Sequence, residues 1–162
     1  MTEEERGQMQ EVGAQILQHP RDKDETDLEL AFAHVATRPD VTEIVVVGGI
    51  DGRFDHALTN VNVGCRYAVE GHPVSFVDGG YRLRPVTRYL SLVRTSRFDT
   101  VSLIPHSDVV EGVTTRGLVF PLADEPLFRS RGRGVSNRFA SARASVRVRT
   151  GVLVVLETSS VS

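Results

Sequence analysis

The chain has 162 residues, 40 % of them apolar and 25 % charged, a composition that fits a globular protein of one domain or two small ones and excludes a disordered or fibrous chain. The net charge of −2 hides an imbalance: residues 1–60 carry 13 Asp/Glu and 5 Lys/Arg, a balance of −8, whereas residues 61–162 carry 8 and 14, a balance of +6. Only one of the 19 basic residues, Lys23, is a lysine, so lysine chemistry such as a Schiff base has a single candidate.

Residues 2–12 read as a helix closed by Gly13, and Ala14–His19 as a short strand stopped by Pro20. Thr26-Asp27-Leu28-Glu29 has the Thr-x-x-Glu pattern that caps a helix, and Leu28, Ala31, Phe32 and Val35 follow at helical spacing, so a helix is predicted from there to about Thr37. Glu43–Val47 is a β-branched run without polar alternation, the pattern of a strand buried on both faces. Gly48-Gly49-Ile50-Asp51-Gly52 turns the chain into a helix over Phe54–Glu70, ended by Gly71 and Pro73, and Val74–Val77 is another strand. Strands alternating with helices predict an α/β layer around a parallel sheet.

Beyond Asp78-Gly79-Gly80 the pattern becomes all-β. Strands are predicted at Arg82–Val86, Tyr89–Arg94, Thr100–Ile104, Val109–Thr115, Leu118–Phe120, Ala144–Arg149 and Val152–Glu157, with Thr150-Gly151 as a hairpin turn between the last two. The expected fold is therefore an α/β domain over residues 1–79, Rossmann-like with a partial parallel sheet, followed by a β-sandwich or barrel over residues 80–162.

Three constellations carry polar chemistry. Arg21-Asp22-Lys23-Asp24-Glu25-Thr26-Asp27 places four carboxylates between a strand end and a helix start. Clustered carboxylates there can hold a divalent cation such as Mg²⁺, or can simply complement the helix dipole. In Gly48-Gly49-Ile50-Asp51-Gly52-Arg53-Phe54-Asp55-His56, glycines and a helix N-terminus suit an anion, and Arg53 can grip a phosphate with its forked guanidinium. Arg53 and Asp55 can equally be a surface pair. His56 can act in acid–base chemistry or donate to a phosphate, with Asn60 one turn further on, or it can cap or pack. In Arg131-Gly132-Arg133-Gly134-Val135-Ser136-Asn137-Arg138 the residues suit an anion, a small polar molecule or solvent.

Cys65 falls mid-helix among apolar residues and reads as a packed thiol. As the only cysteine it cannot form an internal disulfide, which fits a reducing, cytoplasmic location. The acidic start Met1-Thr2-Glu3-Glu4-Glu5 has no apolar segment of a signal peptide, and Ile44–Val47 and Val152–Leu156 are too short to span a membrane. The arginines are spread among apolar residues without an aromatic recognition motif, so no nucleic-acid or membrane partner is expected.

Taken in order, Lys23-Asp24-Glu25-Thr26-Asp27-Leu28-Glu29-Leu30-Ala31, Gly48–His56, Ser102-Leu103-Ile104-Pro105, Gly112-Val113-Thr114-Thr115-Arg116-Gly117-Leu118 and Arg133-Gly134-Val135-Ser136-Asn137 resemble the thiamine pyrophosphokinase (thiamine diphosphokinase) family over nearly the whole chain. The resemblance implies transfer of the pyrophosphoryl group of ATP to thiamine, giving thiamine diphosphate and AMP with Mg²⁺. It also implies an α/β domain followed by a β-sandwich, in a homodimer whose active site lies between the α/β domain of one subunit and the β domain of the other.

By the same resemblance Asp24 and Asp27 hold metal and Thr26 and Asp27 line the thiamine pocket. Asp24, Thr26, Arg53, Asp55, His56 and Asn60 serve the nucleotide, with Asp27, Arg53 and Asp55 in catalysis. Ser136 and Asn137 contact thiamine across the dimer. Family members carry further strands and a Gly-Asp-(Phe/Leu)-Asp-Ser motif ahead of the region where this chain starts. A non-catalytic thiamine- or nucleotide-binding protein is therefore the alternative, and a small phosphosugar- or nucleotide-binding α/β protein is a third.

Overall fold

The structure, a computed structural model, describes residues 2–20 and 22–159; Arg21 of the acidic loop lies outside them. Helix α1 (Glu3–Glu11) starts at a capping box of Thr2 and Glu5 and buries none of its residues. Helix α2 (Asp27–Ala36) starts at the predicted box of Thr26 and Glu29, and buries Phe32. Helix α3 (Phe54–Val69) follows strand β1 (Ile44–Val47) and leads to strand β2 (Val74–Asp78), which pairs with β1 in parallel.

Two of the expectations for this region change. Ala14–His19 forms no strand, and β1, the outer strand of its sheet, pairs only with β2 among the described residues. Strand β1 is also not buried on both faces. Ile44 and Val46 are buried under α2 and α3, whereas Val45 and Val47 are 53 % and 80 % exposed.

The sheet does not stop at residue 79. Strand β2 pairs antiparallel with β3 (Tyr81–Val86), which pairs antiparallel with β10 (Leu153–Thr158), then β5 (Thr100–Pro105) and β8 (Asn137–Arg138). The result is one six-stranded mixed sheet, β1-β2-β3-β10-β5-β8, facing a four-stranded antiparallel sheet, β4 (Tyr89–Val93), β9 (Arg143–Arg147), β6 (Val109–Arg116) and β7 (Glu125–Phe128).

The apolar interior falls into two clusters. Leu92, Val101, Leu103, Val110, Val113, Leu127, Val146, Leu153 and Val155 fill the space between the sheets. Phe32, Val63, Cys65, Tyr67, Val74, Phe76, Val152 and Val154 fill the layer under the helices. Gly64 brings α3 against β2, where a Cβ would meet the Phe76 ring at 2.5 Å.

Three expectations for the β region are corrected. Leu118–Phe120 is not a strand, since only Leu118 makes a bridge, to Phe139. Thr150-Gly151 is not a hairpin turn, because β9 and β10 belong to different sheets and the chain crosses between them there. Strands β7 and β8 were not anticipated; both are short, four and two residues, too brief to show alternation.

One buried charge sits in this interior. The Glu157 side chain is fully buried. It accepts two bonds from Arg82 (Nε 2.8 Å, Nη2 2.7 Å) and one from Arg84 Nη2, with Arg82 lying over the Phe98 ring. Burial pulls the Arg84 guanidinium below its ordinary value, against the attraction of Glu157. Glu157→Ala leaves two largely buried guanidinium groups without their counter-charge. It should lower the unfolding free energy by ~3–5 kcal/mol in a urea titration; an unchanged midpoint would refute this.

Candidate functional site

The acidic loop and the start of α3 meet at one cavity of about 590 Å³, lined by His19, Pro20, Lys23, Glu25, Thr26, Asp27, Leu28, His56 and Asn60. Four of the residues expected to serve ligands, Thr26, Asp27, His56 and Asn60, are thus brought together. Lys23, Glu25 and His19 join them. The signal for Lys23 was its i−4 spacing from Asp27, and the pair is formed: Lys23 Nζ lies 2.5 Å from Asp27 Oδ1. That bond, then the charge of Lys23, hold the Asp27 carboxyl below its ordinary value. The lysine side chain is 19 % exposed and the aspartate 95 %, so the carboxylate faces solvent while the ammonium is tucked beneath it.

Thr26 has a structural task. Its Oγ1 accepts from the Glu29 N–H (3.2 Å) and donates to Glu29 Oε2 (3.1 Å), while the Thr26 N–H donates to the same carboxylate oxygen (3.0 Å). Asn60 ties the cavity to the glycine turn: its Nδ2 donates to the Gly49 carbonyl at 2.7 Å. That turn needs its glycines, since Gly48 and Gly52 have φ of 74° and 84°, a region costly for residues with a Cβ.

Arg53 and Asp55 stand beside this cavity rather than in its wall. Arg53 is the N-cap residue of α3 and makes no side-chain cap bond. It pairs in a two-pronged fork with Asp55, Nε to Oδ1 at 3.1 Å and Nη2 to Oδ2 at 2.5 Å. The bond and charge of each partner raise the arginine and lower the aspartate. Both side chains are mostly exposed. Exposed pairs are weakly held, so an incoming phosphate can take the fork in place of Asp55.

Asp24 is exposed and does not line the cavity. Among the described residues no group of three or more His, Cys, Asp or Glu converges as a metal cage. Glu25 and Asp27 do share the cavity wall, and two carboxylates plus phosphate oxygens are a donor set that suits Mg²⁺. Cys65 is packed under the helices, and burial pushes its thiol up to about 12.

The β-region loop makes a second cavity, of about 310 Å³, lined by Phe120, Pro121, Leu122, Arg133, Gly134, Val135 and Asn137. Asn137 is buried, and its amide is committed. Nδ2 donates to the Phe120 carbonyl at 2.7 Å, and Oδ1 accepts from the N–H groups of Phe120 (3.0 Å) and Arg138 (2.9 Å). Asn137 therefore shapes the wall by holding Phe120, which is 61 % exposed. Ser136 is exposed, has φ of 58°, and donates its N–H to Ser102 Oγ at 3.0 Å. The two cavities share no lining residue.

A family model described as thiamin pyrophosphokinase, catalytic domain, matches residues 1–76, and one described as thiamin pyrophosphokinase, vitamin B1 binding domain, matches residues 88–153. The chain belongs to the thiamin pyrophosphokinase family. The thiamine pyrophosphokinase of Bacillus subtilis is 23 % identical over 98 % of this chain and 74 % of its own length. Thiamine pyrophosphokinase 1 of Oryza sativa is 30 % identical over 66 % of this chain and 43 % of its own length. Among solved structures, thiamin pyrophosphokinase from Geobacillus thermodenitrificans superposes with a TM-score of 0.80 at 26 % identity, over the whole of this chain and 74 % of that one. No helix among the described residues is long and apolar enough to cross a membrane.

In this family member the capping box of α2 sets the entrance to the first cavity. Thr26→Ala should cost ~1 kcal/mol of stability at neutral pH. Glu29, its partner, has its carboxyl lowered first by the Thr26 backbone bond. Its contribution is therefore present above the ordinary carboxylate pKa and lost as pH falls through the lowered value. Glu29→Gln should flatten that acid limb in urea midpoints measured from pH 7 to pH 3; an unaltered limb would refute the assignment.

Proposed function

We propose that the chain acts as a thiamine diphosphokinase, moving the diphosphoryl group of ATP to thiamine. The observation that carries this reading is the convergence of the acidic loop (Glu25, Asp27) and the start of α3 (His56, Asn60) on one cavity, with the Arg53 fork beside it. The family match over both regions supports it.

In the proposed reaction the thiamine hydroxyl oxygen attacks the β-phosphorus of ATP. The bond from that phosphorus to the oxygen bridging the α-phosphate breaks, and AMP leaves with the bridging oxygen. The hydroxyl proton passes to a base of the cavity, whose wall carries the imidazoles of His19 and His56. Such transfers depend mainly on positioning and charge neutralisation. Arg53 meets the phosphates with its planar fork, and Lys23 adds a point charge once released from Asp27. Asp27 and Glu25 would hold Mg²⁺ together with phosphate oxygens, and the ion would supply further neutralisation of the transferring group. Their negative charge also suits the cationic thiamine.

The second cavity, with Phe120, Arg133 and the loop through Ser136 and Asn137, would close on thiamine from a second copy of the chain. The separation of the two cavities within one copy favours this homodimer. The packed, unreactive Cys65 suits a cytoplasmic location. A second reading, binding of thiamine or nucleotide without transfer, is favoured by the position of Asp24, which is exposed and does not line the cavity that Asp27 lines.

The purified chain, mixed with ATP, Mg²⁺ and thiamine, should form AMP only when thiamine is present. Thiamine binding without AMP would establish the second reading, and neither result would overturn both. Arg53→Ala or Asp27→Asn should lower turnover ~10²-fold or more, and wild-type rates would contradict these roles.

A further inference from the structure

The outer face of the four-stranded sheet carries a constellation that the proposed reaction does not use. Tyr89 on β4, Ser145 and Arg147 on β9, and Thr114 and Arg116 on β6 line one groove of about 370 Å³. The register explains the convergence. Arg147 lies opposite Tyr89 on one side and Thr114 on the other, and Arg116 lies opposite Ser145. Arg147 and Arg116 are therefore diagonal neighbours on one face, within reach of each other's long side chains. Alternate residues of these strands, Leu92, Val146 and Thr115, are buried on the opposite face.

Every side chain of the groove is a hydroxyl or a guanidinium, and none is a carboxylate. Several arginines of the β region have a carboxylate partner, Arg149 with Asp124, Arg133 with Glu125, and Arg82 and Arg84 with Glu157, whereas no ion pair engages Arg116 or Arg147 among the described residues. Asp124 is further engaged through its N–H, which donates to Thr114 Oγ1 at 3.1 Å. That bond uses Thr114 as an acceptor and leaves its hydroxyl proton for a ligand. Adjacent like charges on a sheet face are unfavourable, and an anion between them removes that cost. Two planar forks with three hydroxyl donors match the tetrahedral, oxygen-rich surface of a phosphate group.

We propose that this groove binds a small phosphorylated anion, of the size of a diphosphate. The site shares no residue with either cavity described above, so it stands independently of the proposed activity. The test is calorimetric titration of the full chain with inorganic pyrophosphate and, separately, inorganic phosphate, at physiological salt and without Mg²⁺. An Arg53→Ala background removes the phosphate fork beside α3. Saturable binding should persist in that background and weaken at least tenfold when Arg116→Ala and Arg147→Ala are added, with Arg147→Lys intermediate. Pyrophosphate binding tighter than phosphate would assign the groove to a diphosphate; the reverse order would assign it to a single phosphate, supporting the site and correcting its ligand size. Binding unaffected by the double substitution, or no binding in the Arg53→Ala background, would overturn the proposal. So would a change in sedimentation on double substitution with pyrophosphate affinity unaltered, because the face would then be a contact between copies.

Discussion

Strand β10 is buried on both faces, and the rest of the molecule is arranged around that constraint. Leu153 and Val155 point into the sandwich, while Val154 and the preceding Val152 point under α2 and α3. Full burial of each such side chain contributes ~1.5–3 kcal/mol, so this strand, together with β3 (Val86 in one cluster, Leu83 in the other), joins the two apolar clusters. The pairing runs outward from it: β10 fixes β3, β3 fixes β2, and β2 holds β1. The glycine turn and the start of α3 hang from the end of β1, so the first cavity is positioned through a strand that contributes no residue to it. The buried Glu157 extends the same ladder, directly opposite Arg82 and diagonal to Arg84. Its two guanidinium partners come from β3, which makes the β3–β10 register an electrostatic as well as an apolar match.

Much of this was legible from local chemistry. The Thr26–Glu29 box, the glycine turn with its positive-φ residues, and the ending of α3 near Glu70 each depend on bonds within a few residues. The run Val152–Leu156 also showed its unalternating character, and its central position is the reason. What could not be read was partnership at long range. Glu43–Val47 has the same unalternating character, yet Val45 and Val47 are exposed. A continuous apolar run states what a strand tolerates on both faces, and only the placement of other elements decides whether both are covered. Ala14–His19 forms no strand for the same kind of reason: its local pattern says nothing of whether the chain lays it beside another strand, and here it pairs with none. The crossing at Thr150-Gly151 resembles a hairpin locally because a tight turn between two apolar strands is compatible with either one sheet or two.

The candidate site divides along the same line. Asp27 and His56 were singled out by type and by their position at helix starts, and Asn60 by lying one turn beyond His56; the three share a cavity. Arg53 and Asp55, two residues apart, formed the local fork that their spacing permits. Asn137 lies in a polar loop and looked like a ligand contact. The structure adds a task the sequence did not show: Nδ2 donates to the Phe120 carbonyl and Oδ1 accepts from the Phe120 and Arg138 N–H groups, a partnership with a residue 17 positions away. Phe120 itself carries no polar signal; what draws notice is an exposed aromatic residue whose backbone N–H and carbonyl are both bonded by the Asn137 amide.

The charge imbalance gains a physical meaning from the ion pairs. Lys23–Asp27, Arg38–Asp40 and Arg53–Asp55 lie within the acidic front. Arg82 and Arg84 with Glu157, Arg133–Glu125 and Arg149–Asp124 lie within the basic back. Pairing inside a region cancels equal numbers of both signs and leaves its excess untouched. The surplus of each region therefore remains as a field at its surface. At physiological salt that field decays within about 8 Å, so it acts only on what is in contact: a cationic substrate or metal at the acidic loop, a phosphate among the unmatched arginines of the outer sheet, or the oppositely charged region of a second copy. In the homodimer proposed for the reaction, the basic loop through Arg133 meets the acidic cavity, and charge that one copy leaves uncompensated is neutralised by the other.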